Sequence, residues 1–293
     1  MKNFFNAAVV LGILNGLLFP AVQFINPSIP YLIGIMLVLN FLDIKTYWKD
    51  LLRKELFLTS FLTIIFIPVI SYYILSIPFE ENIRIGILLT ACAPAGIMTL
   101  IIARFIPQKD YNLIFSNFLF TTFASIIYIP YLLKLIIGRN VEINSLEILI
   151  QIAVLILIPY SISRILLKFV SDIKLNKVRF STKFILPLLV FVIISGSIGG
   201  ASEELEWNRS LILQTAVIAL IYALHGIIGY FSGYIFGGKD IRHSLALTTT
   251  SRNIQIMLAV TILNFDSVVL IPLVIAIIIH HFSNAVILYL FRE

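Results

Sequence analysis

Apolar runs of roughly 20 residues follow one another along the whole 293-residue chain, parted by short polar stretches. A run of that length crosses the hydrocarbon core of a bilayer as a helix. The pattern predicts ten spans. The first five cover about 4–24, 29–46, 56–77, 83–104 and 111–137. The second five cover about 145–169, 183–201, 210–237, 241–263 and 266–290, the last of them carrying His280 and His281.

One stretch breaks this pattern. Thr248-Thr249-Thr250-Ser251-Arg252-Asn253-Ile254-Gln255 lies inside the apolar segment from Leu245 to Phe265. It puts uncharged polar side chains and a guanidinium near the middle of a span. An arginine there costs about 3 kcal/mol on insertion scales, so it faces a cavity or a partner. A broken helix lining a binding site is the expected form. The fourth span is interrupted as well, at Ala91-Cys92-Ala93-Pro94-Ala95-Gly96. Pro94 removes a backbone donor and Gly96 loosens the helix, which predicts a break near 94–96.

Five spans are an odd number, so the second five must enter from the opposite side of the membrane. The expected fold class is therefore an all-α integral membrane protein of ten transmembrane helices. They form a 5+5 inverted repeat, residues 1–138 and 139–293, with helices 4 and 9 broken. Irregularities at matching places in two halves are the best sequence pointer to a site at the membrane midplane.

Composition agrees. Hydrophobic residues make up 60% and charged residues 12% of the chain, and mean hydropathy is +1.03. Soluble domains carry about 25% charged residues. The single cysteine excludes an internal disulfide framework. The apolar N-terminus is not followed by an Ala-x-Ala cleavage site and reads as a retained first helix. The net charge of +6 is accounted for by loops rather than by nucleic acid. Sixteen of the 21 Lys and Arg residues fall on the N-terminal side of the membrane, Lys2, Lys54, Lys109, Lys168, Lys239 and Arg242 among them. The positive-inside bias thus predicts cytoplasmic N- and C-termini. The basic segment Lys174 to Lys183 reads as a topology determinant touching anionic lipid, and Trp48 and Trp207 as interfacial anchors. Asp43 is expected near the cytoplasmic end, paired with Lys45.

Enzyme signatures are missing. His-Glu-x-x-His does not occur, nor does Gly-x-Ser-x-Gly. His225, His280 and His281 titrate near neutral pH in water and suggest a proton relay. Hydrogen bonding between helices is the plainer reading for them and for Ser283 and Asn284.

The residues resemble a known family. Leu11 to Pro20 resembles the first span of the bile acid:sodium symporter family and its bacterial relatives. Tyr47 to Lys54 resembles the loop after that family's second span. Ala93-Pro94-Ala95-Gly96 resembles its Pro-Gly-Gly break, and Ser251-Arg252-Asn253 its element in span nine. The resemblance implies that spans four and nine cross near the midplane, in a core with spans three, five, eight and ten. Spans one, two, six and seven form a panel, and substrate binds in the crevice between core and panel.

The departures bear on chemistry. The sodium-dependent members that the chain resembles carry Glu where Thr248 stands, Gln where Arg252 stands, and Ser-Asn where Thr99 and Leu100 stand. Asn117, Thr121 and Thr122 still offer oxygens. Sodium needs several convergent oxygens, preferably with a carboxylate, and a fixed guanidinium opposes it. The expectation is a secondary transporter of a small organic anion working by alternating access, with sodium coupling lost or altered and no cofactor. Its expected site is Arg252, Asn253, Thr248, Thr249, Ser251, Gln255, Pro94, Gly96, Thr99, Asn117 and Thr121, with no metal ligand set. Arg252 binds the anion, replaces the sodium ion, or ties the helices together. A proton-driven or uniport exporter of related fold and a non-transporting membrane sensor or scaffold remain as alternatives. Substrate identity and oligomeric state are not written in these residues.

Overall fold

The computed structural model describes residues 2–42, 53–96, 98–138, 144–202, 204–205 and 208–291. Among them every regular element is a helix, and the one β-type pairing joins Ala95 to Arg252. The elements are α1 (Lys2–Leu18), α2 (Ile29–Phe41), α3 (Lys54–Leu75), α4 (Glu81–Cys92), α5 (Met98–Ile102) and α6 (Tyr111–Ile137). They continue as α7 (Ser145–Phe169), α8 (Asp172–Ser202), α9 (Arg209–Phe236), α10 (Lys239–Thr250), α11 (Ile254–Asn264) and α12 (Leu270–Leu290).

Seven helices among the described residues are long and apolar enough to cross a membrane. They are Pro20–Phe41, Lys54–Leu75, Tyr111–Ile137, Ser145–Phe169, Phe180–Ser202, Arg209–Phe236 and Ser267–Leu290. Each falls on an expected span. The other three expected spans are helical too, in shorter pieces: α1, the pair α4 and α5, and the pair α10 and α11.

Two boundaries differ from the sequence reading for physical reasons. The first helix ends at Leu18 rather than near residue 24, because Pro20 has no N–H to continue it. A 3-10 stretch, Pro20–Ser28, then leads into α2. The basic segment 174–183 is helical, within α8. Asp43, Trp48, Trp207 and most of the Tyr47 to Lys54 loop lie outside the described residues.

Local chemistry sets the helix starts. Asp110 accepts from Leu113 N at 3.0 Å, Asn144 from Glu147 N at 3.2 Å and Asn208 from Leu211 N at 3.1 Å. Each side chain thereby satisfies a backbone donor that the first turn leaves open. Asp110 also receives Arg53 Nη1 at 2.5 Å, and its own N–H reaches Ser244 Oγ at 2.8 Å. The starts of α3, α6 and α10 are thus tied at one end of the bundle. In α3, π-helical stretches at Leu62–Phe66 and Ser71–Leu75 flank Pro68. The proline interrupts the hydrogen-bond ladder, and the wider turns absorb the mismatch.

With no water to expel between apolar helices in lipid, close packing and hydrogen bonds hold the bundle together. α1 lies along α8, α2 along α7, α7 along α6, and α9 along α10 and α12. α4 packs against α12. Arg164 of α7 donates to the carbonyl of Phe41, where α2 runs out of partners. The contact of α1 with α8 depends on Gly16. A Cβ there would stand 2.7 Å from Ser195 O and 2.7 Å from Ile198 Cβ.

Gly16→Leu is therefore expected to push α1 off α8 and to lower stability by about 1–3 kcal/mol, the usual range for overpacking. Thermal unfolding of the purified protein in detergent checks this. A midpoint equal to that of the native chain would mean that α1 does not depend on this contact.

Candidate functional site

The site grows from two gaps in the helical backbone. α4 stops at Cys92 and the chain resumes helix at Met98; α10 stops at Thr250 and resumes at Ile254. The second gap is narrower than the Thr248 to Gln255 stretch suggested, since Thr248, Thr249 and Thr250 remain helical. A gap in mid-membrane leaves N–H and C=O groups that must find partners inside the protein. Here the two gaps serve each other. Gly96 N donates to Ser251 O at 2.6 Å, and Asn253 N donates to Pro94 O at 2.7 Å. Ala95 and Arg252 are paired in antiparallel fashion between these bonds. Gly96 is required for the approach: a Cβ on it would lie 2.8 Å from Arg252 O and 2.9 Å from Arg252 C.

The two paired residues have outward donors as well. Ala95 N reaches Thr121 Oγ1 at 3.1 Å, and Arg252 N reaches His280 Nδ1 at 3.3 Å. In each case the acceptor lies on the next long helix of the chain. Tyr128 OH donates to Cys92 O at 2.6 Å, taking a carbonyl left at the end of α4. Thr99 Oγ1 donates to Gly96 O at 2.6 Å. Asn117 Nδ2 donates to Thr248 Oγ1 at 2.7 Å, which joins α6 to α10. Thr121 Oγ1 bonds back to Asn117 O at 2.8 Å, and Thr249 Oγ1 to Leu245 O at 2.8 Å.

The sequence-predicted residues are thus largely brought together. Pro94, Gly96, Ser251 and Asn253 form the crossing. Thr99, Thr121, Asn117 and Thr248 brace it, and Arg252 sits on it. Gln255 makes no side-chain hydrogen bond among the described groups. It is the one residue from Ser244 to Thr261 that is not buried, and so marks where the crossing approaches open space. Met98, just past the first break, is likewise partly exposed, ahead of the buried Thr99 and Leu100.

Arg252 is 2% exposed. Its Nη1 donates to Thr249 O at 3.4 Å, a long bond, while Nε and Nη2 have no partner. Among the described residues no carboxylate pairs with it; the ion pairs there join Arg53 to Glu55 and Asp110, and Arg84 to Glu81. Ser251 Oγ and Asn253 Oδ1 beside it are also buried without partners. A charge taken out of water costs several kcal/mol unless it is paired and hydrogen-bonded. α11 begins at Ile254 with no side-chain cap, so its free N–H groups and positive dipole end add to the same field. A guanidinium, a hydroxyl, an amide oxygen and an uncapped helix start thus stand together at the second break.

Sequence did not single out Tyr128, and it named His280 only as one of three histidines that suggest a proton relay or a bond between helices. Tyr128 shares a face of α6 with Thr121 and Asn117, at helical spacing, which was a usable signal. His280 looked like an ordinary interhelical hydrogen bonder; only the fold places its ring on the backbone of Arg252. The oxygens of Thr99, Thr121 and Thr248 are already engaged with protein groups, and no cluster of three or more His, Cys, Asp or Glu side chains occurs among the described residues.

Gly96→Val should separate the two breaks and leave Ser251 O and the Asn253 N–H unpaired in the membrane. The expected loss is about 2–4 kcal/mol, from overpacking plus unpaired backbone groups. Unfolding in detergent measures it, and a change within about 0.5 kcal/mol, as at an ordinary surface site, would remove the bridge from the account.

The family comparison meets this geometry at the first break. No curated protein matches the chain. A family model described as Sodium Bile acid symporter family matches residues 29–204, more than half of the chain. The matched region holds the first break and ends before Arg252. Its members are membrane transporters, in accord with a multi-pass helical bundle whose broken helices cross in its interior. The chain belongs to the sodium bile acid symporter family.

Proposed function

We propose that the chain is a secondary active transporter of a small organic anion, with Arg252 as the group that receives it. One observation carries this: a buried guanidinium with Nε and Nη2 free, no carboxylate partner, and an uncapped helix N-terminus beside it. A guanidinium accepts a carboxylate or sulfonate through parallel, charge-assisted hydrogen bonds. Gln255 stands at the open side of the crossing and forms the mouth of the site.

Sodium coupling of the family type is lost or altered in this reading. The positions that correspond to the sodium ligands are Thr248, Arg252, Thr99 and Leu100. Thr248 and Asn117 satisfy each other, Thr99 and Thr121 satisfy the break, and a fixed cation stands among them. The guanidinium supplies the charge that an ion supplies in the relatives.

The architecture proposed is ten spans in a 5+5 inverted repeat, residues 1–138 and 139–293. Matched interactions support it. The donors of Ala95 and Arg252 reach acceptors 26 and 28 residues further along the chain. Arg84 lies over the Tyr72 ring at 4.3 Å, and Arg242 over Tyr230 at 5.7 Å. Each pair joins the helix before a break to the start of the broken one. A core of spans three to five and eight to ten would rock against a panel of spans one, two, six and seven. The loop cations favour cytoplasmic termini, in a bacterial inner membrane.

Uptake of labelled cholate and taurocholate into proteoliposomes tests the reading. Flux is expected without a sodium gradient, and Arg252→Gln should raise KM about tenfold or more, the worth of a charged hydrogen bond. Flux that requires sodium in the native chain would overturn the sodium argument. Unchanged KM in Arg252→Gln would remove Arg252 from the site.

The paired change Thr248→Glu with Arg252→Gln restores the carboxylate and the neutral amide of the sodium-dependent relatives. It is expected to make cholate flux rise with external sodium, measured in the same vesicles. No response to sodium in a folded double variant would show that more than these two positions was lost.

A further inference from the structure

His280 is a buried group that can change its charge, and it is bonded to the backbone of Arg252. It is 5% exposed and faces Arg252 directly. Its Nδ1 accepts the Arg252 N–H at 3.3 Å, so that nitrogen is bare. The other nitrogen, Nε2, lies 3.0 Å from the Asn284 amide. With Nδ1 accepting, a neutral ring carries its proton on Nε2 and needs an acceptor there. Asn284 Oδ1 has no other partner and supplies one when the amide is oriented towards the ring. In this state His280 is therefore the neutral Nε2–H form.

The matching donor in the other break makes the contrast. Ala95 N–H goes to the hydroxyl of Thr121, which holds no exchangeable charge. At the break that carries the arginine, the acceptor is a titratable ring instead. The charged and ionisable groups facing it are few. Arg252 comes from the crossing, Tyr222 from α9 with its ring centroid 6.1 Å away, and His281 from the same helix at 5.1 Å. Cys92 of α4, Tyr128 of α6 and His225 of α9 also lie within reach of the Arg252 charge. No carboxylate is paired with either His280 or Arg252 among the described residues.

We propose that His280 is the proton-binding site of this protein and that a proton travels with the anion. This rests on the anion reading of Arg252 and adds the coupling ion to it. The proton comes from the aqueous phase on the entry side and goes onto Nδ1. Nδ1 then becomes a donor and can no longer accept the Arg252 N–H, so that bond is lost. Both N–H groups are then left without an acceptor, within the field of the Arg252 charge. An anion oxygen placed there accepts from both. Without the anion, two like charges would lie side by side in a low-dielectric interior, where the repulsion is large. Anion and proton therefore each favour binding of the other, and the coupling is reciprocal. When the anion leaves on the far side, the proton leaves Nδ1 to water and the Arg252 N–H returns to the ring.

The test uses sulfonates, whose charge stays fixed over the pH range: taurocholate as a large probe and benzenesulfonate as a small one. Binding is measured to the full chain in lipid nanodiscs against pH. Native affinity is expected to rise as pH falls, by up to about tenfold per unit for one linked proton. His280→Gln keeps an acceptor for the Arg252 N–H, so it should fold and bind with no pH slope. His281→Gln should keep the native slope. Nitrogen-15 spectra of labelled histidine should show the His280 signals, identified by their loss in His280→Gln, as a neutral ring without sulfonate and as imidazolium with it. A pH-independent native affinity, a slope surviving in His280→Gln, or an imidazolium signal without sulfonate would each overturn the proposal. Failure of the native chain to bind either sulfonate at any pH would remove the anion reading and this proposal together. Binding without a slope would remove the proposal alone.

Discussion

Backbone N–H and C=O groups in the middle of a membrane have no water to turn to, and a helix that stops there must find partners for them within the protein. This chain stops two helices and lets their loose ends pair. Gly96 with Ser251 and Asn253 with Pro94 make a two-bond crossing, and the surrounding side chains mostly complete it. Thr121, His280, Tyr128 and Thr99 each take one group that the crossing leaves over. The order of the interior follows from that need. A span that only had to cross the bilayer would have no use for a threonine or tyrosine at these places.

The crossing also explains why an arginine is tolerable at so deep a position. Its backbone is fixed on both sides, by Ala95 and by His280, and cannot retreat towards an interface. The side chain is held with one weak bond to Thr249 O and two nitrogens free. In the relatives that the sequence resembles, the corresponding region gathers oxygens about a cation. Here the oxygens have turned to one another and to the backbone, and the positive charge belongs to the protein. In the proposed reading the same scaffold passes from holding a cation to presenting one. The proposed substrate, the altered coupling and the proposed role of His280 all follow from that inversion of sign.

Much of this was legible in the residues because its cause is local. A run of about 20 apolar residues dictates a helix across a bilayer, and seven of the expected spans are long apolar helices. Asp110, Asn144 and Asn208 start helices for reasons contained in a single turn. Pro94 and Arg252 announce the two breaks by their own chemistry. Pro20 announced a stop with equal clarity, yet the first helix was carried past it, because hydropathy alone does not register a missing N–H.

Sequence by itself therefore determined that this is a membrane protein of broken and unbroken helices, where the breaks fall, and that a cation stands at one of them. Those properties depend on side-chain type and on neighbours within a turn or two. The tertiary structure decided which groups meet. Bonds such as Gly96 to Ser251, Asn117 to Thr248 and Arg252 to His280 join residues far apart in the chain, and no periodicity encodes them. It also decided that Arg252 has no acidic partner among the described residues and that His280 is bonded to its amide rather than to a neighbouring helix at large. These are consequences of how helices are placed around a crossing, and only the folded chain fixes that placement.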